Sequence, residues 1–288
     1  MKINFGRKLL FPLNILLTLG TFVFAYIYGS LLISEVDFTS LNYALRPLIG
    51  SIILFILFYG ILSIHWMLIC FEVDKKFRKN QILVFFASQP YKYLPTSLFT
   101  FSYRAKYAKD VGMSLKRSSA AQFIEIINIV FSGALIATVF SLLDRYFGFG
   151  LLLLSLCTVI LLILYQINVM FSIPFVKLKI PSRSVSKYMV LVGLGWVVAG
   201  VSFYLLGKAF GLDNGLYESI ASNAGALIAG ILAFFAPGGI GVRELVFTAF
   251  GIQSLMIVLW RMLTFIVDIV VGGLAILYIT SLRIRKIN

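Results

Sequence analysis

Apolar runs long enough to cross a bilayer recur along this 288-residue chain, at 11–33, 48–71, 82–101, 119–143, 149–171, 188–209 and within 216–280. A helix of roughly 20 apolar residues spans a hydrocarbon core about 30 Å thick. In lipid every backbone polar group must be satisfied within the protein, which leaves helices or closed barrels as the spanning structures. Runs of this length exclude short barrel strands, so the expected class is an all-α polytopic membrane protein. Composition agrees: 60% of residues are hydrophobic, 12% are charged, and the mean hydropathy is +1.00. With short connections throughout, residues 1–288 are expected to form a single membrane domain, with no room for a soluble catalytic domain.

The formal net charge is +14 and the pI about 9.8. In a soluble protein that would point to nucleic acid. Here the cations lie in short loops, where they set topology and attract anionic lipid, so no nucleic-acid partner is expected. Cys70 and Cys157 fall in apolar segments, there is one histidine (His65) and no CxxC pair. No metal, disulfide framework or cofactor is therefore expected. The first run, 11–33, follows Lys2, Arg7 and Lys8 and exceeds the apolar core of a signal peptide, so it reads as a retained span.

Most of the 25 basic residues cluster at the N-terminus, in 72–81, in 103–117, in 174–187 and at the C-terminus. The positive-inside rule places these segments, and both termini, on the cytoplasmic side of the plasma membrane. Segments 72–81 and 103–117 cannot then be separated by a full crossing. The intervening run 82–101 also contains Pro90, Lys92 and Pro95, which suit a continuous helix poorly. A re-entrant hairpin satisfies both constraints. The same reasoning applies to 217–256, whose arms 219–235 and 245–256 are barely long enough or too short to cross. The expected architecture is about six full spans plus two re-entrant helical hairpins. Halves 1–145 and 146–288 then have opposite orientation, an inverted-topology repeat typical of secondary transporters. An ordinary eight-helix bundle with short spans is the alternative.

The second hairpin turns at Pro237-Gly238-Gly239-Ile240-Gly241, followed directly by Arg243 and Glu244. Irregular backbone at membrane depth survives only inside protein or beside a cavity, and ionisable residues there mark functional sites. Arg243 offers a forked cation beside a helix start, a combination suited to phosphate. Glu244 could steady Arg243, cap the helix or accept a proton, and the pair could instead simply close a rigid turn. Arg261 and Asp268 lie seven apart on one face of the last span, too far to pair, and Asp268 is expected to meet an arginine from the hairpin. Lys92 and Tyr93 are expected to approach the same site from the first hairpin. Gln122, Glu125, Asn128 and Ser132 form a polar stripe on the fourth run, read as a site lining with an interhelical hydrogen-bond ladder as the alternative. The small residues of 219–235, among them Gly225 and Gly230, read as surfaces for close helix packing.

The string Ala236 to Glu244, APGGIGVRE, resembles the signature of the lysylphosphatidylglycerol synthase transmembrane-region family, also called flippase-like proteins. Gln89 to Pro95 (QPYKYLP), Arg104 and Glu125 resemble its first-half signature. Thr96 and Ser97 stand where the family often has glycine after the proline. The resemblance implies a module that moves a modified lipid between leaflets. With the chain read to Asn288, the family's aminoacyl-transferase domain is not expected here, nor is lysyl-lipid synthesis. Stand-alone members are associated with envelope glycolipid or polyprenyl-lipid pathways.

These readings converge on a translocase for an anionic or aminoacylated phospholipid, or a polyprenyl-linked or glycolipid. The candidate binding residues are Arg243, Glu244, Glu125, Arg261, Asp268, Lys92, Arg104, Asn128 and Gln122. Pro237, Gly238, Gly239, Gly241 and Pro95 form the hairpin turns. An intramembrane enzyme acting on a lipid-linked substrate, or a non-catalytic partner of envelope-biosynthesis enzymes such as a glycosyltransferase system, are the competing readings. No nucleotide-binding loop is visible, so transport would be passive or ion-coupled.

Overall fold

Thirty consecutive residues from Leu45 to Asp74 form the first helix of the computed structural model, which describes residues 44–76, 80–93, 98–110, 112–144, 182–233 and 236–284. At 1.5 Å per residue this helix, α1, is about 45 Å long and needs no polar interruption to cross a bilayer. It stops where Lys75 turns left-handed (φ 56°) and returns its N–H to the Phe71 carbonyl at 2.7 Å. The chain then forms α2 (Gln81–Ser88), a 3-10 turn (Gln89–Tyr93), α3 (Leu98–Asp110) and α4 (Leu115–Leu142). In the second half α5 (Ser182–Ala209) leads to α6 (Leu216–Leu232), a 3-10 turn (Pro237–Gly239), α7 (Val242–Ala249) and α8 (Ser254–Ile284). The described residues hold no strand.

Four of these helices contain segments long and apolar enough to cross a membrane: Leu45–Asp74, Leu115–Leu142, Tyr188–Ala209 and Ser254–Ser281. The chain is a helical membrane protein. α8 turns Phe265, Ile266, Ile269 and Val270 outward, each at least 43% exposed, while Asp268 on its other side is fully buried. A continuous apolar outer face of this kind is stable against lipid, not water.

The long helices enclose a core of large aromatic side chains. Phe55 of α1 meets Trp260 of α8 edge-on at 5.1 Å, and Trp260 meets Phe203 of α5 in the same way. Phe203 stacks on Phe247 of α7, also at 5.1 Å between ring centres. α1 and α5 are joined by a reciprocal serine contact, in which Ser51 Oγ donates to the Ser202 carbonyl (2.8 Å) and Ser202 Oγ to that of Ser51 (2.7 Å). α6 lies directly against α5: a Cβ on Gly200 would stand 2.5 Å from the Ile220 Cα. The obstacle is backbone, so Gly200→Ala is expected to lower stability by about 1–3 kcal/mol through overpacking. Gly193, with nothing within 4 Å, is the control. Thermal unfolding in detergent should separate the two alanine variants; equal midpoints would contradict the close α5–α6 contact.

The structure differs from the sequence reading at several element boundaries. Residues 103–110, expected within a basic loop, continue helix α3, because lysine and arginine are good helix formers and Arg104 finds a partner inside. The arms of the second turn run over 216–232 and 242–249 instead of 219–235 and 245–256. The last long helix starts at Ser254, three residues after the left-handed Gly251 (φ 75°) and three before the expected start. The expected spans 11–33 and 149–171, the boundary between the half-repeats, Cys157, and Pro95 with Thr96 and Ser97 lie outside the described residues.

Candidate anion site where two turns meet

The site is assembled from both broken segments and two long helices. Gly238, Gly239 and Gly241 all adopt positive φ (59°, 71° and 85°), which only glycine does without strain. Their turn ends α6 and restarts the chain as α7. Glu244, three residues after Gly241, accepts the Gly241 N–H at 2.7 Å and so caps the new helix. Its other oxygen holds Arg261 Nε at 2.9 Å, and Arg261 Nη1 donates to the Gly238 carbonyl at 3.0 Å. The turn is thus tied to α8 by one arginine.

Two helical turns further along α8, Asp268 receives the first broken segment. Lys92 Nζ lies 2.5 Å from its carboxylate, Tyr93 donates its hydroxyl at 2.6 Å, and Tyr59 of α1 donates to the other oxygen. Lys92 also donates to the Tyr59 hydroxyl at 2.8 Å and sits 5.4 Å from the ring centres of Tyr59 and Tyr93. Gly272, one turn beyond Asp268, makes this approach possible: a Cβ there would fall 2.4 Å from Pro90 Cδ. The two turns touch, since a Cβ on Gly238 would stand 3.0 Å from the Tyr93 ring.

Arg243 lies between the turns. Its stem is accommodated by two missing side chains, for a Cβ on Gly230 or Gly239 would stand 2.2 Å or 2.6 Å from Nε. That nitrogen is buried without a hydrogen-bond partner. Among the described residues Arg243 joins no ion pair and donates no hydrogen bond. Three cations therefore face two carboxylates, each already matched: Lys92 by Asp268 and Arg261 by Glu244.

One sequence expectation is corrected by these contacts. Asp268 meets a lysine and two tyrosines, not an arginine, because Arg261 and Arg243 both reach toward the glycine turn. Of the roles weighed for Glu244, the structure shows the cap of α7; its direct ion pair is with Arg261 and not with Arg243.

The remaining candidates lie apart from this junction, and Gln122 Oε1, Asn128 Oδ1 and His65 Nδ1 are buried there without a hydrogen-bond partner. Arg104 Nη1 lies 2.5 Å from Glu125 Oε2, its Nε donates to Ser88 Oγ at 2.9 Å, and its guanidinium is 4.7 Å from the Trp66 ring centre and 4.9 Å from that of Phe85. Asn128 pairs with His65 across 3.1 Å, and Gln122 bonds within its own helix to Ser118. The α4 stripe thus joins α4 to α1 and α3. No hydrogen bond or ion pair links Arg104, Glu125, Gln122 or Asn128 to Asp268 or Arg243 among the described residues. Phe85 stands between the clusters, edge-on to Tyr59 at 6.3 Å.

Tyr59 escaped the sequence reading because a tyrosine within an apolar run counts as apolar; its hydroxyl has no local signature. Gly230, by sequence a helix-packing residue, leaves the space that accommodates Arg243. Among the described residues no group of three His, Cys, Asp or Glu is placed to hold a metal ion. No protein-family model matches the chain, and no curated protein matches it.

Proposed function

We propose that this chain is a lipid translocase of the flippase-like type, which admits a charged head group between its two halves while the lipid tails stay in the bilayer. The observation that carries the reading is Arg243, a cation at the contact of two turns with no acceptor among the described residues. Placing a charge away from water is costly unless a counter-charge replaces its hydration. An arginine left open at membrane depth is explained by an anion that arrives from outside the protein.

The lengths of the broken segments favour the re-entrant arrangement. α2 and α7 have eight residues each, about 12 Å, and α6 has 17, about 26 Å. In this reading the α2–α3 and α6–α7 pairs enter and leave on one side each, within about six full spans arranged as an inverted repeat. Both termini face the cytoplasm. The resemblance of Ala236 to Glu244 to the lysylphosphatidylglycerol synthase transmembrane-region signature supports the same assignment.

Topology can be tested with single cysteines at positions 77 and 110 in a background lacking Cys70 and Cys157. A membrane-impermeant thiol reagent is expected to label both from the cytoplasmic face; labelling from opposite faces would remove the first hairpin. Function is tested by reconstituting the purified chain in vesicles carrying a head-group-labelled anionic lipid in one leaflet. The expected result is faster redistribution than in protein-free vesicles, with lipid mass unchanged. Lipid of altered mass would favour an intramembrane enzyme instead, and neither effect would favour the partner-protein reading.

A further inference from the structure

The imbalance of charge at the junction has a sign, and the sign constrains the head group. Lys92 and Asp268 neutralise each other, as do Arg261 and Glu244, and Arg243 remains. Among the described residues the site therefore offers one spare positive charge and no spare carboxylate. Glu244 has its second oxygen on the Gly241 N–H, and Asp268 already accepts from Tyr59 and Tyr93 as well as Lys92. An ammonium group entering here would meet three cations and find every carboxylate taken.

Resting on the translocase reading, we infer that the site selects a head group with a single negative charge and no cationic group, as in a glycerophosphodiester, against aminoacylated and zwitterionic lipids. A phosphodiester carries one charge and cancels Arg243. A phosphomonoester carries about −1.5 to −2 at neutral pH and leaves an excess of negative charge. The side chain of Arg243 is oriented for this task. Its Nε is enclosed against Gly230 and Gly239, so the ligand meets the two terminal nitrogens, whose fork matches two phosphate oxygens.

The test is a native mass-spectrometry titration of the delipidated full chain. The probes are phosphatidylglycerol, phosphatidylethanolamine, lysyl-phosphatidylglycerol and phosphatidic acid with identical acyl chains, together with chain-free glycerophosphoglycerol. Wild type is expected to prefer phosphatidylglycerol over each other lipid by about tenfold or more, since a buried unmatched charge costs at least that factor. Arg243→Gln should reduce the preference to within about twofold, and Arg243→Lys, which keeps the charge, should retain part of it. Thermal unfolding in parallel establishes that both variants are folded.

Equal or tighter binding of phosphatidylethanolamine or lysyl-phosphatidylglycerol by wild type, still weakened in Arg243→Gln, would overturn the charge selection and leave the translocase reading standing. Equal or tighter binding of phosphatidic acid would overturn the single-charge part. Unchanged binding of all four lipids by Arg243→Gln would overturn both. Chain-free glycerophosphoglycerol binding as tightly as the lipid would uphold the head-group class and overturn the lipid as its source.

Discussion

Asp268→Ala is expected to destabilise the folded protein by about 3–5 kcal/mol, because it strands a lysine and two hydroxyls in the interior. Asp268 is fully buried and accepts from α1 through Tyr59 and from the first turn through Lys92 and Tyr93. Without the carboxylate, Lys92 keeps only the Tyr59 hydroxyl as a hydrogen-bond acceptor, and that hydroxyl loses its own acceptor. The cost arises from the orphaned partner more than from the lost attraction, so removing both charges should be far milder. Lys92→Met combined with Asp268→Leu is expected to recover most of the loss, as replacement of a buried pair by apolar groups of similar volume often does. Denaturant unfolding in mixed micelles measures both. An Asp268→Ala midpoint indistinguishable from wild type would mean that this ion pair does not hold the turn in place.

Arg243→Gln is expected to have the opposite profile: near-normal stability and a loss of lipid movement by about ten- to hundredfold. Arg243 has no acceptor among the described residues, so its removal strands no described group, and loss of a partly buried, unmatched cation can even favour folding. The loss appears only when an anion is bound. A hydrogen bond to a charged group contributes about 1.5–3 kcal/mol, and each 1.4 kcal/mol is about a tenfold change. The contrast would separate a structural charge from a binding charge at one junction: in the proposed reading Asp268 is coupled to the fold and Arg243 to the ligand. If Arg243→Gln unfolds as readily as Asp268→Ala, Arg243 has a structural partner and its role as the open cation fails.

Some of this organisation is legible in the chain. The long apolar runs give α1, α4, α5 and α8, since length and hydropathy are one-dimensional properties. The glycine turn before Arg243 is legible because positive φ at Gly238, Gly239 and Gly241 leaves few alternatives to glycine. The three-residue spacing from Gly241 to Glu244 is the signature of a cap, one of the roles weighed for that glutamate. Pairing is not legible in the same way. Arg104 and Glu125 carry the same chemistry as Arg243 and Asp268, yet they close on each other beneath Trp66 and Phe85. Composition and periodicity place a charge at membrane depth; which opposite charge it meets depends on how α3, α4 and α8 are juxtaposed. The same limit applies to Tyr59, whose contact with Asp268 spans more than two hundred positions of sequence.

The most direct test of the account is native mass spectrometry of the protein purified gently from its membrane, wild type beside Arg243→Gln, with identification of any retained lipid. A specific anionic lipid should be held by wild type and absent from the variant. The same bulk lipids carried equally by both proteins would contradict an anion site at the junction of the two turns.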